Sequence, residues 1–203
     1  MQLPVTLILI GITCVVSFLA FNNAKLAGRL ILWPPAIDRG RQYDRLLTYG
    51  FIHADWMHLL FNMVTLFFFG PFIEREISAF IGPWGYLGFY LGALVVSILP
   101  SYFRHQKDPN YRSLGASGAV SAVLFAFILI NPWAMIGVFF IPMPAILFAV
   151  LYVGYSIWMD KRGTDNINHG AHLAGALFGV IFMVAMEPRV INLFLDRLMQ
   201  PGG

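Results

Sequence analysis

The sequence predicts an all-α, polytopic membrane protein with six transmembrane helices and a long structured first loop. Three observations predict it: 59% of the 203 residues are apolar, only 11% are charged, and the apolar residues gather into stretches of spanning length. A soluble domain carries about 25% charged residues, so this chain has too few charges to coat a globule. Disorder, coiled coil and collagen are excluded on the same composition. At about 20 apolar residues per crossing, six crossings use roughly 120 residues. Only short connections remain, so residues 1–203 read as a single membrane domain.

The first segment, Leu3–Phe21, is long enough to span and lacks the basic leader of a signal peptide. It holds Cys14, the single cysteine, which therefore has no internal disulfide partner. The connection from Asn22 to Trp56, with Trp33-Pro34-Pro35 inside it, is long enough to carry its own structure or a function. The second segment, Met57–Phe72, ends near Glu74, Arg75 and Glu76, and the third is Trp84–Phe103. The fourth, Ser117–Ile130, is short, at roughly 21 Å for its 14 residues. The hydrocarbon core is roughly 30 Å thick. With Pro132 at one interface, Ser117 lies below the other, where irregular backbone must line protein or water. A recessed aqueous pocket at the start of this helix follows. Asn131-Pro132 predicts a tight turn into the fifth segment, Ala134–Trp158, which Pro142 and Pro144 weaken by removing hydrogen bonds. The sixth segment is Ile167–Met186. All five tryptophans (Trp33, Trp56, Trp84, Trp133 and Trp158) fall near segment ends or in loops, as interfacial indoles do. The net charge of +3 comes from basic residues between apolar segments, which suit loops and lipid headgroups rather than nucleic acid.

In an alternating topology the even-numbered helices all begin on one side of the membrane. His58 and Asn62 open the second, Ser117 the fourth, and His172 lies in the first turns of the sixth. Intramembrane polar groups are costly and mark functional sites by default. Gly118, Ala122 and Ala126 form a small-residue stripe on the fourth helix, and Ala171, Gly175 and Gly179 form one on the sixth. Such stripes let backbones approach closely in lipid. If they face each other, Ser117 and His172 come within reach; taken alone, each stripe also reads as packing.

The chemistry these residues suit is nucleophilic. A serine hydroxyl needs a neighbouring base, and histidine titrates in the useful range. His58 and Asn62, one turn apart on one face, can donate to an oxyanion. The Ser117 N–H, in the first turn of its helix, is a third donor. Gly115 and Gly118 leave room for a substrate backbone to approach. Other readings stand beside this one: a serine that caps a helix, and a histidine or asparagine that links helices. No acidic residue is an obvious third member of a triad, since Asp165 lies in a loop. A Ser–His dyad is the economical assignment.

These residues resemble the rhomboid family of intramembrane serine proteases over about residues 40–186. The resemblance is carried by His53-x4-His58-Leu59-Leu60-Phe61-Asn62, Gly115-Ala116-Ser117-Gly118, and Ala171-His172-Leu173-Ala174-Gly175-x3-Gly179, with Glu74 beyond Asn62. It implies a bacterial-type six-helix domain with Ser117 as nucleophile and His172 as base and acid. His58, Asn62 and the Ser117 amide would form the oxyanion site. It also implies transmembrane protein substrates, membrane lipids as surroundings, and no metal or other cofactor. The fifth helix would be a mobile gate; a static kink is the other reading.

Two positions depart from the family pattern. Ser121 stands where an aromatic residue often stacks on the catalytic histidine, and Asp44-Arg45 replaces a Trp-Arg pair. His53 suits support of the first loop, and His169 adjoins the motif.

The basic residues of the odd connections (Lys25, Arg29, Arg39, Arg41, Arg45, Arg104, Lys107, Arg112, Lys161, Arg162) outnumber Arg75, Arg189 and Arg197 opposite. Taken alone, the positive-inside rule puts the active face in the cytoplasm. The resemblance implies an extracytoplasmic face in a bacterial plasma membrane, and the interfacial first loop favours that orientation. Two other functions compete: a membrane metallohydrolase using His53, His58, His169 and His172, and a non-catalytic pseudoprotease that binds transmembrane clients.

Overall fold

The computed structural model describes residues 4–138, 141–163 and 167–200. Helix α1 (Val5–Phe21) turns Thr6, Leu9, Thr13, Ser17 and Ala20 inward. It leaves Ile8, Ile12, Val15, Phe18 and Leu19 exposed. A helix with small polar groups inside and large apolar ones outside is built for a lipid solvent. Its first two free amides, Val5 N–H and Thr6 N–H, donate to the Glu74 carboxylate at 2.6 and 2.8 Å, which satisfies donors that every helix start leaves orphaned.

The long connection folds into three short helices, α2 (Ala24–Leu30), α3 (Pro34–Gly40) and α4 (Arg45–Thr48), then a 3-10 turn over Tyr49–Phe51. Asn23 caps α2 by accepting from Leu26 N–H, and Pro34 opens α3 at the position where a missing N–H costs nothing. Arg45 is buried and ties the pieces together. Its guanidinium donates to the Gly28 and Ile31 carbonyls at 2.9 and 2.6 Å and to Gln42 Oε1 at 2.7 Å. The loop is thus anchored by Arg45 without the Trp-Arg pair. Leu32 and Ser113 exchange backbone hydrogen bonds, which fasten the loop beside the approach to Ser117.

Helix α5 (Trp56–Ile81) follows, with Asp55 accepting from His58 N–H as its cap, and then α6 (Pro83–Arg104). Helix α7 (Ser117–Ile130) matches its predicted bounds and is buried along almost its whole length. It is the central post of the bundle. Strands β1 (Met135–Val138) and β2 (Ile141–Pro144) pair antiparallel, with Met135 opposite Pro144, before α8 (Ala145–Arg162), α9 (His169–Met186) and α10 (Val190–Leu198).

The fifth segment therefore needs correction: it does not begin as a helix at Ala134. Pro142 and Pro144 would each cost about 3 kcal/mol inside a helix, whereas a two-stranded pair tolerates them as edge residues. Pro144, at φ −59° and ψ 137°, stands outside α8 and leads into it. The prolines therefore neither kink nor soften the helix that follows. The sequence reading also missed α10. Its Arg197 donates to the Ile130 carbonyl at 2.5 Å, and Trp133 donates to the Leu198 carbonyl at 3.2 Å, so α10 closes the far end of α7.

Among the described residues three helices, α5, α6 and α9, are long and apolar enough to cross a membrane, and α1 and α7 are shorter apolar helices. The chain is a mostly helical integral membrane protein. The predicted helix start at Leu3 and the loop residue Asp165 lie outside the described residues.

Candidate active site

The two small-residue stripes meet. A Cβ added at Gly175 would stand 2.0 Å from the Gly118 carbonyl oxygen, and one at Gly179 would stand 2.2 Å from the Ala122 oxygen. Only residues without a Cβ allow α7 and α9 to touch backbone to backbone in this way. At the end where both helices begin, Ser117 Oγ lies 2.7 Å from His172 Nε2. With its proton on Nδ1, the imidazole would accept from the serine hydroxyl in this geometry.

Asn168 sets the start of α9, and the sequence reading missed it. Its Oδ1 accepts from Ala171 N–H at 3.0 Å and from Ser101 Oγ at 2.9 Å. Its Nδ2 donates to Tyr111 and Ser113, and its backbone carbonyl accepts from His172 N–H. An asparagine directly before an apolar run is a recognisable helix-start signal. Its bonds to α6 and to the loop before Ser117 have no counterpart in local sequence.

His58, on α5, packs against Gly115, two residues before Ser117, and Asn62 follows it one turn along the same helix. The His58 ring fills the space above Gly115, where a Cβ would come within 2.5 Å of His58 Cε1, and Gly115 has φ +115°. Asn62 is buried, and its Nδ2 donates to the His58 carbonyl at 2.8 Å, one turn back along its own helix. One amide hydrogen thus remains for another acceptor. The room expected for substrate at Gly118 is occupied. Ser97 of α6 packs there, its Oγ 2.2 Å from where a Cβ would stand, so Gly118 serves helix packing.

His53 is buried next to these groups. Ala116 N–H donates to its Nε2 at 3.3 Å, so the proton resides on Nδ1, which donates to Ser17 Oγ at 2.9 Å. Ser17 Oγ in turn donates to the Phe51 carbonyl at 3.1 Å. Burial, and secondarily the neighbouring His58, pushes the His53 imidazole down to about 3. A neutral ring therefore links α1 to the residue immediately before Ser117, a closer tie to the site than support of the first loop.

Among the described residues no three histidine, cysteine, aspartate or glutamate side chains gather into a group able to hold a metal ion.

The Rhomboid domain family matches residues 40–189 of this sequence. The chain belongs to the rhomboid family. Among its relatives, the mitochondrial RHOMBOID-like protein 12 of Arabidopsis thaliana is 33% identical over 82% of this chain and 53% of its own length. The human mitochondrial presenilin-associated rhomboid-like protein is 32% identical over 68% of this chain and 36% of its own. Rhomboid protease GlpG of Salmonella paratyphi A is 28% identical over 87% of this chain and 61% of its own. The chain spans about half the length of the first relatives it matches. Rhomboid relatives assigned by name to mitochondria and a chloroplast lend no support to a bacterial plasma membrane in particular.

Proposed function

We propose that this rhomboid is an intramembrane serine endopeptidase that cuts membrane-anchored proteins in or near a transmembrane segment. The observation that carries the reading is the 2.7 Å approach of Ser117 Oγ to His172 Nε2 at the start of two abutting helices. His172 would take the Ser117 proton as Oγ bonds to the scissile carbonyl carbon. The carbonyl oxygen becomes an oxyanion, held by the Ser117 N–H, His58 and Asn62. His172 then gives the proton to the departing amine as the peptide C–N bond breaks. Water, deprotonated by the same ring, splits the acyl-enzyme and restores Ser117. No metal or other cofactor enters these steps. A helical substrate must uncoil locally, because a peptide bond inside a helix is shielded from a nucleophile.

In this reading α1, α5, α6, α7, α8 and α9 are six spans of a single domain. The starts of α5, α7 and α9 open to the extracytoplasmic side, with α2–α4 lying at that interface.

The test is cleavage of a transmembrane test substrate by the purified full chain in lipid vesicles, with and without a chelator, beside labelling by a serine-directed fluorophosphonate. Ser117→Ala and His172→Ala should each abolish cleavage, and Asn62→Ala should slow it about 10- to 1000-fold. Cleavage by Ser117→Ala at the wild-type rate would refute the assignment. Substrate binding without cleavage by the wild type would identify a client-binding pseudoprotease instead.

A further inference from the structure

Tyr152, on α8, takes no part in the chemistry above, yet its ring lies against the dyad. The ring plane is 16° from that of the His172 imidazole, with centroids 6.1 Å apart. Its hydroxyl lies 2.7 Å from Ser121 Oγ, one turn beyond Ser117 on the buried face of α7. Phe125 of α7 and Phe148 of α8 pack beside it, at 5.6 and 5.4 Å between centroids. His172 is thereby met by Ser117 at Nε2, by the Tyr152 ring in an offset stack, and by His169 in an edge contact.

We propose that Tyr152 is a positioning residue for His172, its ring fixing the imidazole plane and Ser121 fixing the ring. The proposal rests on the Ser117–His172 reading of the site. An imidazole turns freely about its two side-chain torsions unless something packs against it. An offset aromatic stack supplies such a stop and tolerates either protonation state of the ring. The hydroxyl bond explains a serine at position 121: an aromatic side chain there would occupy the space into which Tyr152 reaches. The support also comes from a third helix. Ser117 and His172 are joined by the glycine contacts of α7 and α9, while the ring that steadies His172 travels with α8.

The experiment measures kcat and KM for the full chain in lipid vesicles with the same transmembrane substrate, with Ser117→Ala as reference. Tyr152→Leu should lower kcat about 10- to 100-fold, as misplacement of a reacting group does, and leave KM near wild type. Tyr152→Phe keeps the ring but loses the Ser121 bond, and its kcat should fall between those of Tyr152→Leu and the wild type. If Tyr152→Leu does not fold, Tyr152→Met, which fills the space without a ring, is read in the same way. Wild-type kcat in the ring-less variant overturns the proposal, as does equal loss in Tyr152→Phe or a loss confined to KM. A wild type whose cleavage does not depend on Ser117 is a different failure, that of the dyad itself.

Discussion

At the scale of single residues, two positions beside Ser117 are set by what they lack. Gly115 has no Cβ, which both its φ of +115° and the His58 ring above it require. His53 lacks a charge, because burial disfavours the protonated ring, and its Nε2 accepts the Ala116 amide. That neutrality has a pH signature. An unfolded histidine binds a proton below about pH 6.5, whereas folded His53 refuses one down to about 3. The unfolded state therefore binds more protons across that window, and stability falls as pH drops through it. Thermal midpoints of the wild type should decline between about pH 7 and about pH 5, and those of His53→Asn should decline less. Equal declines would remove His53 from this role.

At the scale of elements, the contact between α7 and α9 has the least tolerance. Gly175→Ala would place a methyl carbon 2.0 Å from the Gly118 carbonyl oxygen, a backbone atom that cannot rotate away. It should destabilise the protein by about 1–3 kcal/mol and cut the rate of Ser117-dependent cleavage about tenfold or more. Gly11→Ala, with nothing within 4 Å of the new carbon, should be neutral or mildly stabilising and serves as the control. Both are checked by thermal unfolding and cleavage assays.

The elements also show why some of the fold was legible in the sequence. The start of α7 could be read to the residue, because Gly115 and Ser117 mark a break before an apolar run that only Ser121 interrupts. The facing stripes could be read because small-residue spacing survives in the sequence. The start of α8 could not, because apolar residues 135–144 fit a helix and a strand alike until the prolines are weighed against pairing. The short helices α2–α4 are too brief to leave a periodic pattern, and α10, whose Val190, Phe194 and Leu198 recur at helical spacing, is too short to be read as a span. Tyr152 was invisible for a different reason: its place against His172 depends on how α8 packs, and 20 residues of sequence separate the two.

At the scale of the whole molecule, bulky apolar side chains face outward as well as inward, and several small polar ones are kept within. Leu7, Ile8, Phe67, Phe68, Leu151 and Ile181 are exposed on α1, α5, α8 and α9, while Thr6, Thr13, Ser17, Ser97 and Ser121 are buried on α1, α6 and α7. If six helices span the membrane in alternation, the two sets of connections face opposite compartments. In a Cys14→Ser background, single cysteines at Arg41 and Lys107 should react with an impermeant maleimide from one side of sealed vesicles, and cysteines at Gly82 and Arg189 only from the other. Reaction of Lys107→Cys and Arg189→Cys from the same side would overturn the alternation.

The glycine seam between α7 and α9 bears on what such a protein can work upon. Carbonyl oxygens fill the gap where side chains would otherwise give, so the two helices have little room to shift against each other. Under the proposed chemistry, the adjustment that brings a peptide bond to Ser117 is expected from the substrate rather than from this seam.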